Sequence, residues 1–294
     1  MIADNSMLSS YSRCQWLYGL QYELHRQPLE PRLAIEVGVL THDTWNCYLT
    51  TDRYAVKRKI EDSLEQLRSL PISDAERIVA STKYSAAVAE LLAAYPLIED
   101  ANGTRIITST DGLPRWIVRY PEAPFCIPLN EAHSFMGRID VIVEDGNSQL
   151  WILELKTSGF ANQPTWRTMF KLSTQPRGYV WVATVTLSKT VAGAIIIPVW
   201  LSTRQEKGQK YGVAKLMEEI PLRYTASQLA QWQQQTIKLM DEIPSSQLLP
   251  TGMYSGGCSS AAYGICSFFD YCNSNYSEGL LASQTQEKVW SPLN

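Results

Sequence analysis

The decisive stretch of this 294-residue chain is Gly137-Arg138-Ile139-Asp140-Val141-Ile142-Val143, followed closely by Leu150-Trp151-Ile152-Leu153-Glu154-Leu155-Lys156. Both segments are rich in β-branched and large apolar residues, which favour strands. The intervening Asp145-Gly146-Asn147 is typical of a tight turn. We therefore predict one strand over 137–143 and a second over 150–156, paired antiparallel.

Two carboxylates and one lysine lie on this predicted strand pair. Because residues two apart on a strand share a face, Glu154 and Lys156 should point the same way while Leu155 points into the core. The turn would bring Asp140 beside them, so that both carboxylates and the ammonium occupy one cleft. Oxygen ligands of this kind suit Mg²⁺ or Mn²⁺. Such an ion would polarise a phosphate, and Lys156 could orient the attacking water.

An ordinary solvated strand face is the alternative explanation for these charges, because charged residues on exposed strands are common. The neighbouring residues argue against it, since apolar sequence directly precedes both Asp140 and Glu154. A charge buried beside such sequence is costly unless it is paired or bound to metal. A metal centre is therefore the interpretation that we prefer.

The remaining sequence predicts helices on both sides of the strand pair. Before the pair, apolar periodicity and breaks at prolines indicate helices over 4–25, 35–49, 54–70 and 74–94 and a hairpin over 102–122. After the pair, they indicate a mainly helical segment over 163–185, a strand over 192–201, a helix over 225–242 and a loop from Leu249. This order of elements predicts an α/β fold.

The length is more suitable for one elaborated domain than for two. We expect a single domain over 1–294, with an N-terminal helical portion (about 1–100), a catalytic α/β core (101–245) and a cysteine-rich C-terminal tail (246–294).

The composition excludes a protein that coats nucleic acid through bulk charge, because the formal net charge is -3. A nucleic-acid partner would need a local basic groove. Arg53, Lys57, Arg58 and Lys59 are one candidate strip, and a solvated helix face is the alternative. The nine Trp and fifteen Tyr could stack bases or simply fill the core and surface clefts.

The sequence contains no run of the ~18 apolar residues that a membrane span requires, and its N-terminus lacks the pattern of a secretory signal. We therefore expect a cytoplasmic location. Cysteines stay reduced there, so that clustered cysteines are better explained as metal ligands than as disulfides.

Two further motifs flank the strand pair: Gly38-Val-Leu-Thr-His42 before it and Gln175-Pro-Arg-Gly-Tyr179 after it. The order of four motifs resembles that in the RecB-like branch of the PD-(D/E)xK nucleases: GxxxH, GRID, ELKTSG and QxxxY. The resemblance extends from Tyr11 to Cys272. It implies a restriction-endonuclease-like mixed sheet flanked by helices.

The resemblance also implies roles for individual residues. His42, Asp140 and Glu154 would hold the metal together with the backbone carbonyl of Leu155, and Lys156 would be the catalytic lysine. Gln175 and Tyr179, four apart and therefore on one helix face, would orient Lys156 or a phosphate. Pro176 lies between them, which a helix tolerates only in its first turn, with Ser173 or Thr174 as the cap. A helix that began earlier would kink at Pro176.

The cysteines form a second constellation: Cys14 near one end of the chain, and Cys258, Cys266 and Cys272 near the other. The resemblance implies that these four bind a 4Fe-4S cluster that joins the two ends. The first gap, of seven residues, departs from the common C-x2-C-x5-C tail. Zinc bound by the same ligands and unligated thiols are the alternatives. Cys47 and Cys126 fit no such pattern and are expected to be small buried residues.

The function that the resemblance implies is metal-dependent DNA exonuclease activity in recombination, repair or phage replication. One alternative is a CRISPR-adaptation-type nuclease that trims DNA for an integrase. An alternative of another class is a catalytically inactive DNA-binding iron–sulfur module. The expected partners are DNA and a recombination, helicase or integrase protein, and a homo-oligomer is left open.

Overall fold

The computed structural model describes residues 1–30, 32–159, 163–201, 214–245, 248–260 and 264–291. A π-helical segment (Gly19–Glu23) follows the second helix. The helices are α1 (Asn5–Arg13), α2 (Gln15–Tyr18), α3 (Leu33–Thr50), α4 (Arg53–Ser69), α5 (Asp74–Ala94), α6 (Gln163–Leu172), α7 (Thr174–Leu187), α8 (Ala226–Ser245), α9 (Gly252–Ser255), α10 (Phe269–Asn273) and α11 (Glu278–Gln284).

Five consecutive strands follow helix α5, and the other strands are distributed among the helices. They are β1 (Ile2–Ala3), β2 (Arg26–Pro28), β3 (Leu97–Glu99), β4 (Arg105–Thr108), β5 (Pro114–Pro128), β6 (Ser134–Asp145), β7 (Leu150–Ser158), β8 (Val191–Leu201), β9 (Ala214–Leu216), β10 (Ile220–Leu222), β11 (Ser259–Ser260), β12 (Gly264–Ile265) and β13 (Thr285–Glu287).

The main sheet is mixed. Its strand order is β10-β8-β7-β6-β5-β4-β3, with β1 paired to β6 and β9 paired to β8. Strands β6 and β7 are antiparallel, whereas β7 and β8 are parallel and are connected through α6 and α7. A parallel neighbour requires such a helical crossover, since a tight turn can join only antiparallel strands. The predicted α/β fold with a mixed sheet flanked by helices is confirmed.

The chain divides into two compact units. The central unit comprises Pro31–Ala123 and Ile139–Leu229, and the terminal unit comprises Met1–Glu30, Pro124–Arg138 and Ala230–Asn294. The single domain expected from the sequence stays a prediction.

The core of the central unit lies between α3 and α5 and one face of the sheet. Leu153 and Leu155 of β7 are completely buried there, as are Ile197 and Val199 of β8. All residues from Leu150 to Leu155 are buried. A strand covered on both faces has this continuous burial pattern, in contrast to the alternating pattern of a half-exposed strand.

Most predicted elements before the strand pair are confirmed to within a few residues. Helices α3, α4 and α5 match three of the predicted helices, and Ser73 caps α5 in a reciprocal capping box with Glu76. The predicted hairpin is formed by β4 and β5. Gly112 lies at its turn with a φ of +82°, a conformation that glycine adopts without steric cost.

The predicted helix over 4–25 is wrong as one continuous element. Cys14 is extended (φ -165°, ψ 119°) and separates α1 from α2. The following backbone N–H groups bond outside the helix: Gln15 donates to Thr251 Oγ1 (3.1 Å) and Trp16 to the Leu249 carbonyl (3.0 Å). Partners distant in sequence therefore replace the local helical bonds at this position.

Two later predictions meet different outcomes. The segment over 163–185 is mainly helical, as predicted, and forms two helices that separate at Ser173 (ψ 138°), the N-cap of α7. Pro176 is the third residue of α7 and lies in its first turn, where a missing N–H is tolerated. The tail is more than a loop, because it includes α9, α10 and α11. Among the described helices, none is long and apolar enough to cross a membrane.

Candidate active site

The strand pairing brings the two carboxylates together. In the antiparallel register of β6 and β7, Val141 is opposite Leu153 and Ile142 is opposite Ile152. Asp140 and Glu154 are the next residues outward, one on each strand. Directly opposed residues of an antiparallel pair project from the same face, so this register accounts for their proximity.

Helix α3 supplies a histidine because it lies unusually close to β7. A Cβ atom added to Gly38 would be 2.6 Å from Thr157 Oγ1, which is closer than a van der Waals contact permits. His42 follows one helical turn later on the same face, and its Nδ1 is 3.4 Å from Asp140 Oδ2. The two residues of the GxxxH motif therefore act together. Gly38 allows α3 to lie close to β7, and this position brings His42 into contact with the Asp140 carboxylate.

Asp140 is held in its ionised form. Its Oδ2 accepts a hydrogen bond from the backbone N–H of Leu155 at 2.9 Å. Burial by itself raises the pKa of Asp140, but the attraction and hydrogen bond of His42, the charge of Lys156 and the Leu155 N–H together lower it below its usual value. These interactions favour a carboxylate at neutral pH.

The pKa of Glu154, in contrast to that of Asp140, is raised. The residue is 1% exposed, its Oε1 lies 2.5 Å from Lys156 Nζ, and its Oε2 is buried without a hydrogen-bond partner. Burial and, to a lesser degree, the Asp140 charge raise the pKa of Glu154 to about 7, although Lys156 opposes the change. A buried carboxylate oxygen without a partner is unfavourable. A bound cation would satisfy it, so the donor set fits a divalent metal ion.

Lys156 is held on its other side by a chain of side chains from α7. Its Nζ donates to Gln175 Oε1 at 2.9 Å, and Gln175 Nε2 donates to Tyr179 Oη at 2.9 Å. Gln175 and Tyr179 are separated by one helical turn and share a face. The structure therefore brings His42, Asp140, Glu154, Lys156, Gln175 and Tyr179 together through direct contacts. Within the described residues, no three or more His, Cys, Asp or Glu side chains are already arranged as the ligands of one metal ion.

The four cysteines named from the sequence line one cavity in the terminal unit, with a volume of about 140 Å³. One water requires roughly 10–15 Å³ by this kind of measure, so the cavity has room for a polyatomic group. A Cβ atom on Gly252 would be 3.0 Å from Cys258 Sγ and 3.2 Å from Cys14 Sγ. Glycine therefore leaves the two sulfurs room to face the cavity.

The thiols influence one another electrostatically. Burial, together with the nearby Cys266, Cys14 and Cys258, raises the pKa of Cys272 to about 11. Burial also raises the pKa of Cys258, with contributions from Cys14 and Cys266. Thiolates packed this closely require a cationic group to stabilise them. The residues present therefore fit a metal-containing group.

The cysteine cavity is fixed by contacts between the two ends of the chain. Arg13 Nε and Nη2 both donate to the Gly257 carbonyl, at 2.8 and 2.6 Å. Leu17, Leu20, Phe268 and Tyr271 form an apolar cluster against which Cys14, Cys266 and Cys272 pack. The cysteines thus lie beside an apolar cover that limits access of water.

The other two cysteines were expected to be buried, and this is wrong for Cys126, which is exposed. It lies near the end of β5, where side chains alternate between partly buried and exposed positions. Cys47 is half-buried, with its Sγ 3.1 Å from Oγ1 of Thr51, the residue that follows the end of α3.

The candidate basic strip lies on α4. Lys59 Nζ is 3.0 Å from Asp43 Oδ2, and Lys57 Nζ is 3.9 Å from Glu61 Oε1. Two of the four cations therefore have carboxylate partners, while Arg53 and Arg58 are exposed. These pairs favour the alternative interpretation, a solvated helix face.

The hydrogen bond between Asn46 and Glu122 is a contact of the same helix that sequence reasoning missed. Asn46 is one turn beyond His42 on α3, and its Nδ2 donates to Glu122 Oε1 at 2.9 Å. The continuing four-residue spacing of Gly38, His42 and Asn46 is the signal that could have identified the asparagine. Nothing local indicates Glu122, because the two partners are 76 positions apart.

Comparisons with known proteins are consistent with this geometry. The family model described as the PD-(D/E)XK nuclease superfamily matches residues 5–273. No curated protein matches the chain. Among solved structures, the crystal structure of SSO0001 is 14% identical, with 81% of this chain and 76% of that chain covered and a TM-score of 0.31. That similarity is too low to support any argument about function.

Proposed function

We propose that this chain, which belongs to the PD-(D/E)XK nuclease superfamily of metal-dependent nucleases, is a DNA exonuclease of the RecB-like branch. The order of the GxxxH, GRID, ELKTSG and QxxxY motifs supports the branch. The observation that carries the proposal is the buried Glu154 Oε2, which lacks a partner in the group of charged side chains formed by Asp140, His42 and Lys156. Such an oxygen is suited to ligate a cation.

In this proposal, Asp140 and Glu154 hold Mg²⁺ or Mn²⁺ with His42 and the Leu155 carbonyl. The ion would polarise the scissile phosphate and lower the pKa of the attacking water. The Leu155 N–H fixes the orientation of Asp140. Burial excludes bulk water from Glu154, which strengthens each electrostatic interaction in the site.

Lys156 acts on the substrate side of this centre. Its ammonium is placed by Glu154 and by the Gln175–Tyr179 pair. An ammonium held at two sides can orient a nucleophilic water or offset the charge that develops on the phosphate. Gln175 and Tyr179 are positioning residues, because their contacts reach the reacting groups through Lys156.

We also propose that Cys14, Cys258, Cys266 and Cys272 bind a 4Fe-4S cluster, with zinc as the alternative. Their common cavity, its volume and the adjacent apolar cluster support this assignment. Because Cys14 and Cys272 lie near opposite ends of the chain, one bound group would constrain almost its whole length.

The test is to incubate the purified protein with end-labelled single- and double-stranded DNA in the presence of Mg²⁺ or Mn²⁺ and to map the products over time. We expect progressive shortening from an end and no cleavage of covalently closed circles. The Asp140→Ala and Glu154→Ala variants should be inactive and folded, since each removes a metal ligand and no apolar side chain of the core. Cleavage of closed circles would contradict the exonuclease assignment. Wild-type rates in Glu154→Ala would contradict the catalytic centre itself.

A further inference from the structure

A second cavity of the terminal unit is lined by residues that take no part in the carboxylate centre or in the cysteine cavity. Its volume is about 230 Å³, compared with about 140 Å³ for the cysteine cavity. Most of its wall is apolar or aromatic and includes Met7, Tyr22, Met136 and Trp290, while His25 adds a polar ring. Apolar and aromatic walls with a few polar groups are typical of a site for a small organic ligand.

Two aromatic rings of the cavity meet at a right angle. The centroids of Tyr22 and Trp290 are 6.4 Å apart, and their planes are at 90°. Trp290 Nε1 donates to Asp4 Oδ2 at 2.6 Å, which fixes the indole, although the residue is 43% exposed. Tyr22 is also stacked on Tyr18, with centroids 5.5 Å apart. A flat ring parallel to one wall is perpendicular to the other, so it can stack on the first and make an edge-to-face contact with the second.

Unusual backbone conformations occur at two of the lining residues. Tyr22 belongs to the π-helical segment Gly19–Glu23, and single π turns are rare and frequently occur at functional sites. His25 has a φ of +51°, in the left-handed region that residues other than glycine seldom adopt. Strain of this kind persists only where the surrounding structure enforces it, and it is concentrated at functional sites. Both irregularities bring a side chain to the same cavity.

His25 provides the cavity with a hydrogen-bonding group. Its Nδ1 is buried and has no hydrogen-bond partner among the described residues. A proton on this nitrogen would lack an acceptor, so the neutral ring is more stable with its proton on Nε2. Nε2 can then donate to a carbonyl oxygen or a ring nitrogen, and every nucleobase carries such acceptors.

Two cations adjoin His25. Arg26 follows it in the sequence, and the backbone N–H of Lys288 donates to the His25 carbonyl at 2.8 Å. Glu287 is opposite Arg26 in the register of β2 and β13, but neither cation forms an ion pair with a carboxylate in the described part of the chain. Cations without acidic partners can contact the phosphates on either side of a bound base.

We propose that this cavity, lined by Tyr22, His25 and Trp290, binds one unpaired nucleobase of single-stranded DNA, which stacks on Trp290 and accepts a hydrogen bond from His25. The proposal rests on the proposed function and adds single-stranded DNA as its substrate class. Bases in a duplex are paired and stacked on their neighbours, so they cannot enter such a cavity without being flipped out. An unpaired base has both faces free for an aromatic side chain.

The first experiment locates the base on the full-length wild-type protein. Single-stranded DNA that contains 5-iodouracil is bound without added divalent cation, so that it is not cut, and the complex is irradiated. Mass spectrometry then identifies the cross-linked residue, which we expect to be Trp290 or Tyr22. Cross-links confined to peptides that contain no lining residue would overturn the proposal.

The second experiment measures Kd for the same DNA by fluorescence anisotropy. Trp290→Leu should weaken the binding of single-stranded DNA by about 5- to 150-fold, the effect of losing one stacked base, and leave the binding of blunt duplex unchanged. Trp290→Phe keeps an aromatic face and loses the bond to Asp4, so it should bind almost as well as the wild type. Tyr254→Leu is the matched control, because Tyr254 is 92% exposed and lies outside the cavity lining.

Equal weakening in Trp290→Phe and Trp290→Leu would overturn the stacking role and indicate a structural role of the bond to Asp4. Deoxynucleoside monophosphates that compete as well as the oligonucleotide would overturn single-stranded DNA as the ligand. Wild-type binding in Trp290→Leu, with DNA still cut in Mg²⁺, would overturn the base cavity and leave the proposed function intact. A cross-link at Trp290 in a protein that cuts no DNA would contradict the proposed function alone.

Discussion

At the scale of single residues, the site is defined by buried groups that lack a full set of partners. Glu154 forms an ion pair with Lys156 through Oε1, and its Oε2 has no hydrogen-bond partner. Asp140 by contrast has one oxygen, Oδ2, that both His42 and the Leu155 N–H contact. Two carboxylates on one strand pair thus differ in pKa because their neighbours differ. A cation bound by both carboxylates would stabilise the ionised form of each.

His42→Ala should weaken metal affinity and leave the fold intact, because the ring touches Asp140 at the edge of the core. We expect activity to fall at low Mn²⁺ and to recover in part at high Mn²⁺, by mass action. Cleavage rates across a Mn²⁺ titration, together with melting temperatures, provide the check. A loss that follows the melting temperature and does not respond to Mn²⁺ would indicate a packing role.

Gln175→Ala should lower kcat by about 10- to 100-fold, the usual effect of removing a partner that orients a catalytic group. KM for DNA should change little, because Gln175 contacts Lys156 and Tyr179. Tyr179→Phe keeps Gln175 and should have a smaller effect on kcat. Steady-state kinetics on a labelled DNA substrate separate the two constants, and an increase in KM alone would argue against a positioning role.

At the scale of elements, the distance between α3 and β7 determines whether the histidine reaches its carboxylate. Gly38→Ala would introduce a Cβ atom 2.6 Å from Thr157 Oγ1. Such overpacking costs about 1–3 kcal/mol, and the better helix propensity of alanine returns up to about 1 kcal/mol. We therefore expect a net loss of stability and a larger loss of activity, as α3 moves away and His42 with it.

Gly146→Ala is the control for this substitution, because a Cβ atom at Gly146 would meet no atom within 4 Å. Urea unfolding should give a lower midpoint for Gly38→Ala and an almost unchanged midpoint for Gly146→Ala. Thr157→Ala combined with Gly38→Ala should restore activity by removing the clash. If the double variant does not regain activity, the contact between position 38 and Thr157 is not the reason that activity requires Gly38.

At the scale of the whole molecule, the cysteines connect distant parts of the sequence. Protein purified without oxygen should be brown and contain about four irons per chain. Cys14→Ala should lose iron and stability together, because the bound group closes a loop of almost the entire chain. Iron analysis and thermal melting are the measurements.

Cys126→Ala is the matched control for the cysteine experiment, because Cys126 is exposed and absent from the cavity lining. It should retain iron, colour and melting temperature. Zinc in place of iron would change the assignment to a structural zinc site. Four free thiols in a stable and active protein would contradict the proposal that a group bound by the cysteines stabilises the fold by joining the two ends of the chain.

The sequence by itself determined the features that depend on local periodicity. Apolar and β-branched residues along Asp140–Val143 and Leu150–Lys156, with a turn between them, predicted the strand pair and therefore the common face of Glu154 and Lys156. The spacings Gly38–His42 and Gln175–Tyr179 likewise predicted one helix face each. These inferences succeed because the conformation of neighbouring residues fixes the direction of their side chains.

Only the tertiary structure decided the break at Cys14 and the pairing of Asn46 with Glu122. The backbone N–H groups of Gln15 and Trp16 find partners at Thr251 and Leu249, more than 230 positions away. Propensity and periodicity are sums over local windows and contain no information on such partners. Where a hydrogen bond from a distant segment replaces a local one, the fold as a whole sets the conformation.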